Sequence, residues 1–343
     1  MKEEMDNLST KSKLHSRLSN FVSWIAPDPE TRDAIVKQSN EIRERIRAKA
    51  KDDNVTVTAT PQSGSFAKRT GLRRHMRGEA EIEGQDIDVP FVVKLQGQSD
   101  YQLAPMITKF RQYADASYPD TEKKDTKSSV KLIFSNTLSY DLVPVFATDD
   151  PEKQILVRTT GEQITTSIQK HVDFVTDRTK KSDTKKGVVL FNECVRLMKW
   201  WRDVRCSEAN YLEEVPSFLI DLLSAKAFDK LSVQTTYAQT LSEWSAYLAH
   251  VVRKKELVYF TDFDNHNPKV DATIWQVIDP VNRENNVAAK LQAYEIEELA
   301  GWFQEARESW SRAITADLNG DDIDSLDHLV TLFGNSFMNH CEE

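Results

Sequence analysis

The chain has few cysteines and no long apolar run. Its three cysteines, Cys194, Cys206 and Cys341, are scattered and lack C-x-x-C spacing. This pattern supports neither a disulfide framework nor a zinc site, so we expect a reducing cytosol and no structural zinc. No segment has the apolar length that a membrane span needs, and the N-terminus lacks an apolar leader. We therefore expect a cytoplasmic protein that makes no membrane contact.

Glycine and histidine are also informative by their scarcity. Ten glycines in 343 residues indicate few tight turns and much helix, and the seven histidines show no paired metal-ligand spacing. The formal net charge of −9 argues against broad, non-specific binding of nucleic acid, because the phosphate backbone selects basic surfaces. The length is sufficient for a large core and predicts two lobes.

Three aspartates lie in two segments that have the pattern of buried strands. Asp86 and Asp88 open the run Asp86–Val93, whose odd-numbered positions are apolar, and Asp141 lies in the apolar run Leu138–Phe146. Side chains two residues apart in a strand point to the same face, so the first two carboxylates project together. If the two strands are neighbours, three carboxylates meet at one place.

Carboxylate oxygens at one place are the ligands that Mg²⁺ or Mn²⁺ prefers. Two such ions, roughly 3.5–4 Å apart, can clamp the attacking and leaving oxygens of an in-line phosphoryl displacement. Any single aspartate could equally be a turn or capping residue. A structural role for all three is disfavoured, because packed carboxylates repel one another unless cations bind there. The pattern predicts a two-metal nucleotidyltransferase site.

A turn between two predicted strands completes this site. Gly64 and Ser65 follow the alternating segment Val55–Thr60 and precede a helical stretch. Glycine permits close backbone approach, and N–H groups at a helix start bind phosphate, with Ser65 adding a hydroxyl donor. Basic residues follow within a short window: Lys68, Arg69, Arg73, Arg74 and Arg77. We expect Lys68 to contact phosphate, whereas the arginines could contact a polyanion or form a solvated face paired with nearby glutamates.

These residues, in this order, resemble the cGAS/DncV-like nucleotidyltransferases (CD-NTases), relatives of the oligoadenylate synthases. The matching segments run from about residue 55 to about residue 300: Gly64–Ser65, Lys68–Thr70, Asp86–Asp88, Leu138–Pro144, Arg196–Arg202, Pro216–Leu223 and Val277–Val287. The segment Arg196–Arg202 resembles the family helix that offers a lysine to the nucleotide. The segment Pro216–Leu223 resembles the following helix, whose early serine touches the triphosphate.

The resemblance implies an α+β fold with a polymerase-β-like nucleotidyltransferase core, a mixed sheet with helices, and a helical C-terminal lobe. A long N-terminal helix would bridge the two. We predict the catalytic core with its N-terminal helices at residues 1–160, and an oligoadenylate-synthase-like lobe at residues 161–343. The implied activity is synthesis of a cyclic or short linear oligonucleotide second messenger from NTPs, in bacterial anti-phage signalling of the CBASS type.

The family's functional residues carry over onto matching positions of this sequence. Catalysis and metal binding would fall to Asp86, Asp88 and Asp141, which would hold two Mg²⁺ ions, with Mn²⁺ able to substitute. Asp141 would also help to activate the attacking hydroxyl. Nucleotide-binding roles would fall to Gly64, Ser65, Lys68, Thr70, Lys199 and Ser217. Alternatively, Lys199 is a surface lysine beside Trp200, and Ser217 is an N-cap.

The implied partners are NTP substrates, ATP among them, a regulatory protein, and a downstream effector that receives the product. Two other interpretations are open. A nucleotidyltransferase that acts on RNA or protein would use the same metals. A catalytically silent relative would only sense nucleotide, although the presence of all three aspartates disfavours this.

The remaining patterns predict the elements that carry these residues. Strands are predicted at 55–60, 86–94, 130–134 and 138–147, an edge piece at 154–159, a short strand at 257–260, and an exposed loop at 120–128. Helices are predicted at 8–26, 29–51, 163–179, 186–205, 216–230, 234–253, 286–315 and 322–338. The run Asp317–Asp324 resembles a calcium loop but lacks the required Gly and Glu, so it predicts a helix linker with a capping acid.

Overall fold

The structure is a computed structural model that describes residues 12–73, 75–77, 80–82, 86–94, 105–134, 138–183, 189–209, 215–263, 268–271 and 273–342. The chain divides into two compact units. The sheet unit comprises Pro27–Met76 and Glu81–Asp173, and the helical unit comprises Met1–Ala26, Arg77–Ala80 and Phe174–Glu343.

The sheet unit contains most of the strands, and helices dominate the other unit. The strands are β1 Thr56–Ala59, β2 His75–Arg77, β3 Ala80–Ile82, β4 Asp86–Lys94, β5 Glu122–Asp125, β6 Val130–Ile133, β7 Ser139–Ala147, β8 Gln154–Val157 and β9 Gln163–Thr166. The helices are α1 Lys13–Trp24, α2 Pro29–Asp52, α3 Gly64–Lys68, α4 Pro105–Ser117, α5 Ile168–Asp183, α6 Phe191–Glu208, α7 Ser217–Leu231, α8 Tyr237–Arg253, α9 Ala293–Leu318, α10 Asp322–Phe333 and α11 Asn335–His340.

Seven of these strands form one mixed sheet. Its order is β1-β4-β7-β6-β5, and β8 pairs with both β7 and β9, while β2 and β3 pair separately. The two central strands, β4 and β7, run parallel, and the other pairs of the large sheet are antiparallel. The two aspartate-bearing segments are therefore direct neighbours at the centre of the sheet.

The core of the sheet unit lies on one face of this sheet. Helix α2 begins at Pro29 after the N-cap Asp28, whose carboxylate accepts the Thr31 N–H at 2.9 Å. Its buried residues recur at helical spacing and pack with α4 against the odd-numbered residues of β4. They are Ile35, Ser39, Ile42, Ile46 and Ala50. Because side chains alternate along a strand, the even-numbered residues of β4 face away from this core.

Helix α1 packs within the helical unit. The Phe21 ring lies 5.6 Å from Trp200, 5.4 Å from Phe333 and 4.9 Å from Phe337, measured between ring centroids. Aromatic pairs at these separations stabilise a core beyond the area that they bury. Helix α1 thus belongs to the helical unit. Further along the chain, the sheet unit ends at Asp173 and the helical unit resumes at Phe174, so this boundary lies inside α5. The predicted division at residue 160 had α1 with the core, and the bridging role of the long helix α2 stays a prediction.

The strands that carry the site were predicted correctly, since the structure has β1, β4, β6 and β7 within the predicted segments. Helix α4 was missed, and the predicted loop at 120–128 contains β5. The predicted helix at 163–179 is wrong at its start, where Gln163–Thr166 is a strand paired with β8. The piece at 257–260 is reduced to a single bridge between Val258 and Val277.

Two predicted helices in the second half differ from the structure. The helix predicted from residue 286 begins at Ala293, because Asn286 instead bridges to Ile278. The helix predicted at 322–338 is interrupted at Gly334, whose φ of 72° ends α10. The capping acid of the preceding linker is confirmed: the Asp321 carboxylate accepts the Asp324 N–H at 3.0 Å.

Candidate active site

Two of the three predicted aspartates lie directly opposite each other. In the parallel pair of β4 and β7, Asp88 is the partner of Asp141, and Asp86 is the partner of Ser139. Neighbouring strands lie about 4.8 Å apart, and partnered residues project to the same face. The Asp86 backbone is two residues before Asp88, so it belongs to the same face of the strand. Its side chain lies outside the part of the chain that the structure describes.

This face is distinct from the hydrophobic one. The alternate residues Ile87 and Val89 are buried in the core under α2 and α4. Asp88 is half-buried, and Asp141 is 9% exposed. A carboxylate with so little contact with water must be stabilised by hydrogen bonds or cations.

Gly64 brings the predicted phosphate turn against Asp88. Its φ is 69°, in the left-handed region, and a Cβ at this position would lie 2.2 Å from the Asp88 Oδ2 atom. No side chain fits at that distance, so glycine is required both for the backbone conformation and for the close approach. The turn therefore lies directly against the Asp88 carboxylate, and the role of both in one catalytic site stays a prediction.

Helix α3 starts at this glycine and ends after little more than one turn. Arg69 has a φ of 57° and terminates it, and the Ser65 carbonyl accepts the N–H groups of Thr70 and Gly71 at 2.9 and 3.2 Å. The first N–H groups of a helix have no partner within it, so those of Gly64 and Ser65 suit an anion. Lys68 is buried at 8% exposure and Thr70 is fully buried.

Asp141 is held by two residues that the sequence analysis missed. The Ser129 hydroxyl donates to Asp141 Oδ1 at 2.7 Å, and the Lys131 Nζ lies 3.7 Å from Asp141 Oδ2. The Thr126 hydroxyl lies 2.7 Å from Ser129 Oγ, and the Ser129 N–H donates back to Thr126 Oγ1 at 2.9 Å. This small turn therefore fixes the serine, and the serine fixes the orientation of the carboxylate.

The sequence signal for these residues was weak. Ser129 follows a polar run that was predicted to be an exposed loop, and Lys131 lies in a predicted strand with no acidic residue close in sequence. Only the antiparallel register of β6 and β7, in which Lys131 is the partner of Asp141, brings them to the site. The one available hint that Lys131 lies on the active-site face was its position between Val130 and Leu132, two apolar residues that are buried in the core.

Two further predicted residues belong to the helical unit. Lys199 of α6 is not a surface residue: its Nζ lies 2.7 Å from the Asp221 carboxylate, and both side chains are buried. Ser217 is exposed and is the first residue of α7, with Pro216 rather than the serine at the N-cap. The nucleotide-binding roles of both stay predictions.

The late segment Val277–Val287 has a structural role in the described chain. The Asp279 carboxylate accepts the Val281 N–H at 2.9 Å and the Asn285 side-chain amide at 3.0 Å. The Asn286 amide oxygen accepts the Val277 N–H at 2.9 Å. These bonds make a tight turn around Pro280.

The donor set fits hard divalent cations. Asp88 and Asp141 supply carboxylate oxygens from neighbouring strands, and Asp86 is placed by register on the same face. Among the side chains that the structure describes, which exclude that of Asp86, no group of three or more His, Cys, Asp or Glu residues is arranged for a metal ion.

The mixed sheet, with a glycine turn against one carboxylate and a second carboxylate on the parallel neighbour, is the arrangement that the sequence predicted for a nucleotidyltransferase. Residues 13–178 match the family described as "Second Messenger Oligonucleotide or Dinucleotide Synthetase domain". The chain is 26% identical over 286 residues to a cyclic AMP-AMP-AMP synthase of Escherichia coli strain MS 115-1, covering 82% of this chain and 85% of that protein. It is 26% identical over 318 residues to the CBASS oligonucleotide cyclase CdnC of Escherichia coli strain KTE188, covering 90% and 92%.

Solved structures show the same fold. The structure of E. coli MS115-1 CdnC with ATP has a TM-score of 0.75 at 24% identity, covering 94% of this chain and 98% of that one. The complex of that CdnC with HORMA-deltaN has a TM-score of 0.73 at 24% identity, covering 96% and 99%. The chain is thus similar in sequence and in fold to the CD-NTases, nucleotidyltransferases that require divalent metal ions.

No helix among the described residues combines the length and the apolar character that crossing a membrane demands.

Proposed function

We propose that the chain joins nucleoside triphosphates into a cyclic or short linear oligonucleotide. The observation that carries this proposal is the pairing of Asp88 with Asp141 on parallel neighbouring strands, with the Gly64 turn against Asp88. The names of two relatives, a cyclic AMP-AMP-AMP synthase and an oligonucleotide cyclase, support the same reaction. The proposed role is anti-phage signalling, in which a downstream effector receives the product.

The metal-binding residues in this proposal are Asp86, Asp88 and Asp141, which would hold two Mg²⁺ ions, with Mn²⁺ as a substitute. Such ions, when bound, acidify the attacking ribose hydroxyl and neutralise the charge of the leaving pyrophosphate. The hydrogen bond from Ser129 already orients the Asp141 carboxylate, so little free energy is needed to reorient it before the reaction. Gly64 and Ser65 would bind the donor triphosphate through their backbone N–H groups, helped by Lys68, Thr70, Lys199 and Ser217.

The proposed reaction is an in-line displacement. The ribose hydroxyl oxygen of the acceptor bonds to the α-phosphorus of the donor, and the bond from that phosphorus to the bridging oxygen of the β-phosphate breaks. The electron pair leaves with pyrophosphate, and the hydroxyl proton passes to Asp141 and then to solvent. A second transfer within the linear intermediate closes the ring.

Partners and location complete the proposal. A regulatory protein partner is supported by the complex between CdnC and HORMA-deltaN, because CdnC has the same fold. We place the enzyme in the cytosol, where NTPs are available.

The test is incubation with labelled ATP, GTP, CTP and UTP, singly and together, with Mg²⁺ or Mn²⁺. Products are treated with phosphatase and resolved by chromatography and mass spectrometry. A phosphatase-resistant product is expected, since a ring has no terminal phosphate. Asp88→Asn and Asp141→Asn should abolish it, because either change removes a metal-binding charge.

Asp33→Asn is the matched control, since Asp33 is an exposed carboxylate on α2 in the same unit. Manganese binding measured by electron paramagnetic resonance should fall in the two active-site variants and stay unchanged in the control. A wild-type protein that binds Mn²⁺ and NTP but labels only added RNA or protein would contradict the proposal in favour of a macromolecular acceptor.

A further inference from the structure

Two lysines extend the row of register partners that contains the active-site carboxylates. Lys131 of β6 is the register partner of Asp141, and Lys124 of β5 is the register partner of Lys131. With Asp88 on β4, the row across four strands reads Asp88, Asp141, Lys131, Lys124. Partnered residues on neighbouring strands project to the same side, so all four lie on the active-site face.

The neighbours of the two lysines confirm which face they occupy. Val130 and Leu132, on either side of Lys131, are fully buried in the core. The Lys123 side chain is 5% exposed and its Nζ lies 3.5 Å from Asp115 of α4, on the core side. Lys124 is therefore on the opposite side from α4, and it is exposed.

The two ends of the row are chemically different. At one end the Gly64 turn lies against Asp88, which is the proposed place for the donor triphosphate. At the other end lie two ammonium groups, whose backbones are about 5 and 10 Å beyond Asp141 at the usual spacing of strands. Asp141, the residue proposed to take the acceptor proton, lies between these ends.

We infer that Lys131 and Lys124 bind the 5′-phosphate groups of the acceptor, either an NTP or a linear intermediate that is extended by a further nucleotide before the ring closes. The inference rests on the proposed function, because only a nucleotide acceptor carries such groups. The acceptor hydroxyl must lie beside Asp141 and on the side away from the donor triphosphate, which leaves its phosphates nearest the lysine end. A lysine binds phosphate as a point charge on a flexible side chain. Two lysines therefore suit a 5′-triphosphate whose position differs from one round of synthesis to the next.

The contact between Lys131 and Asp141 is consistent with this role. The Nζ lies 3.7 Å from the carboxylate, beyond a short hydrogen bond, and the lysine side chain is 19% exposed. This ion pair holds the ammonium at the active-site face before nucleotide binds.

Binding of two matched probes tests the inference. With the donor site saturated by Mg²⁺ and a nonhydrolysable ATP analogue, we would measure the dissociation constants of a 5′-triphosphorylated adenine dinucleotide and its 5′-hydroxyl counterpart. The wild type should prefer the triphosphorylated probe. In Lys124→Met/Lys131→Met that preference should fall by about tenfold or more, the scale of two partly exposed charge contacts. The 5′-hydroxyl probe should bind as before.

The single variant Lys124→Met should lose part of the preference, and its exposed position leaves folding intact. Lys124→Arg/Lys131→Arg should retain it, because the charge remains. Lys109→Met is the matched control, since it removes a partly exposed lysine of the same unit that pairs with Asp53. An unchanged preference in the double variant, or equal weakening of both probes, would overturn the inference. A wild type that binds the probes selectively but makes no oligonucleotide would refute the proposed function and leave the lysine site supported.

Discussion

At the residue scale, Gly64 is the most constrained position of the site. Gly64→Ala should reduce nucleotidyl transfer by about 100-fold or more, because the new methyl would displace Asp88 and misplaced reacting groups lose rate steeply. The left-handed φ should also cost about 1–2 kcal/mol of stability. Initial rates and thermal unfolding of the variant would measure both effects.

Gly161 provides the control for this change. Its φ is 85° and nothing lies within 4 Å of an added Cβ. Gly161→Ala should therefore lower the stability by a similar amount and leave the rate intact. A Gly64→Ala enzyme that is less stable but fully active would disprove the steric argument.

Ser129 is the second residue that can be tested alone. Ser129→Ala removes the bond to Asp141 Oδ1, so the carboxylate loses its fixed orientation. We expect kcat to fall about tenfold while the KM for NTP stays close to the wild-type value. Steady-state kinetics would separate the two constants.

The neighbouring Ser128 takes part in the same turn through its backbone, since its N–H donates to Thr126 Oγ1 at 3.2 Å. Ser128→Ala should therefore behave as wild type, and Ser129→Thr should recover much of the rate because it keeps the hydroxyl. Equal losses in the Ser128 and Ser129 variants would mean that the turn, and not the bond to Asp141, matters.

The residues of the site were only partly predictable. Asp88, Asp141 and Gly64 were found because strand alternation and a glycine between strands are local signals. Ser129 and Lys131 were not found, because their proximity to Asp141 depends on pairing between strands that are separate in sequence. Register is a tertiary property, and a single sequence constrains it weakly.

At the element scale, helix α2 packs together with α4 on one face of the sheet. Ile42 of this helix is fully buried in the core that the helix forms with the sheet. Ile42→Ala should lower the free energy of unfolding by about 2–4 kcal/mol through lost burial and the cavity that remains. Urea denaturation of the purified protein would give the value.

The adjacent residue Glu41 is exposed and gives the matched control. Glu41→Ala should change the free energy of unfolding by less than about 0.5 kcal/mol. A large loss in both variants would indicate that the helix itself, and not its contact with the sheet, sets the stability.

Elements with strong local patterns were predicted, and those decided by tertiary contacts were not. The β-branched residues Ile164, Thr165 and Thr166 favour a strand, and pairing with β8 makes one where a helix was predicted. Gly334 splits the last long helix, because a glycine at positive φ stops it. Helix α4 follows residues outside the described chain and was not predicted at all.

At the scale of the whole molecule, buried ionisable groups make stability depend on pH. Burial lowers the pKa of His15, whose ring is 5% exposed and stacks on Tyr237 at 5.4 Å. The folded chain keeps this imidazole neutral at pH values where the unfolded chain binds a proton. The unfolded state thus binds more protons below about pH 6.5, so stability should fall as pH decreases through that region.

His15→Phe should flatten this dependence, since it keeps a ring beside Tyr237 and removes the titrating group. The difference in Tm between pH 7.5 and pH 5.5 should be smaller than in the wild type. An identical pH profile in wild type and His15→Phe would contradict the assignment.

The burial of all three cysteines has a practical consequence for following this enzyme in solution. Cys194, Cys206 and Cys341 are buried, and burial raises the pKa of the Cys194 and Cys341 thiols, so little thiolate is available to reagents. A single cysteine introduced at an exposed position of each unit could therefore be labelled selectively, without removal of the native ones. A fluorophore attached in this way would report local changes in the labelled unit during each round of synthesis.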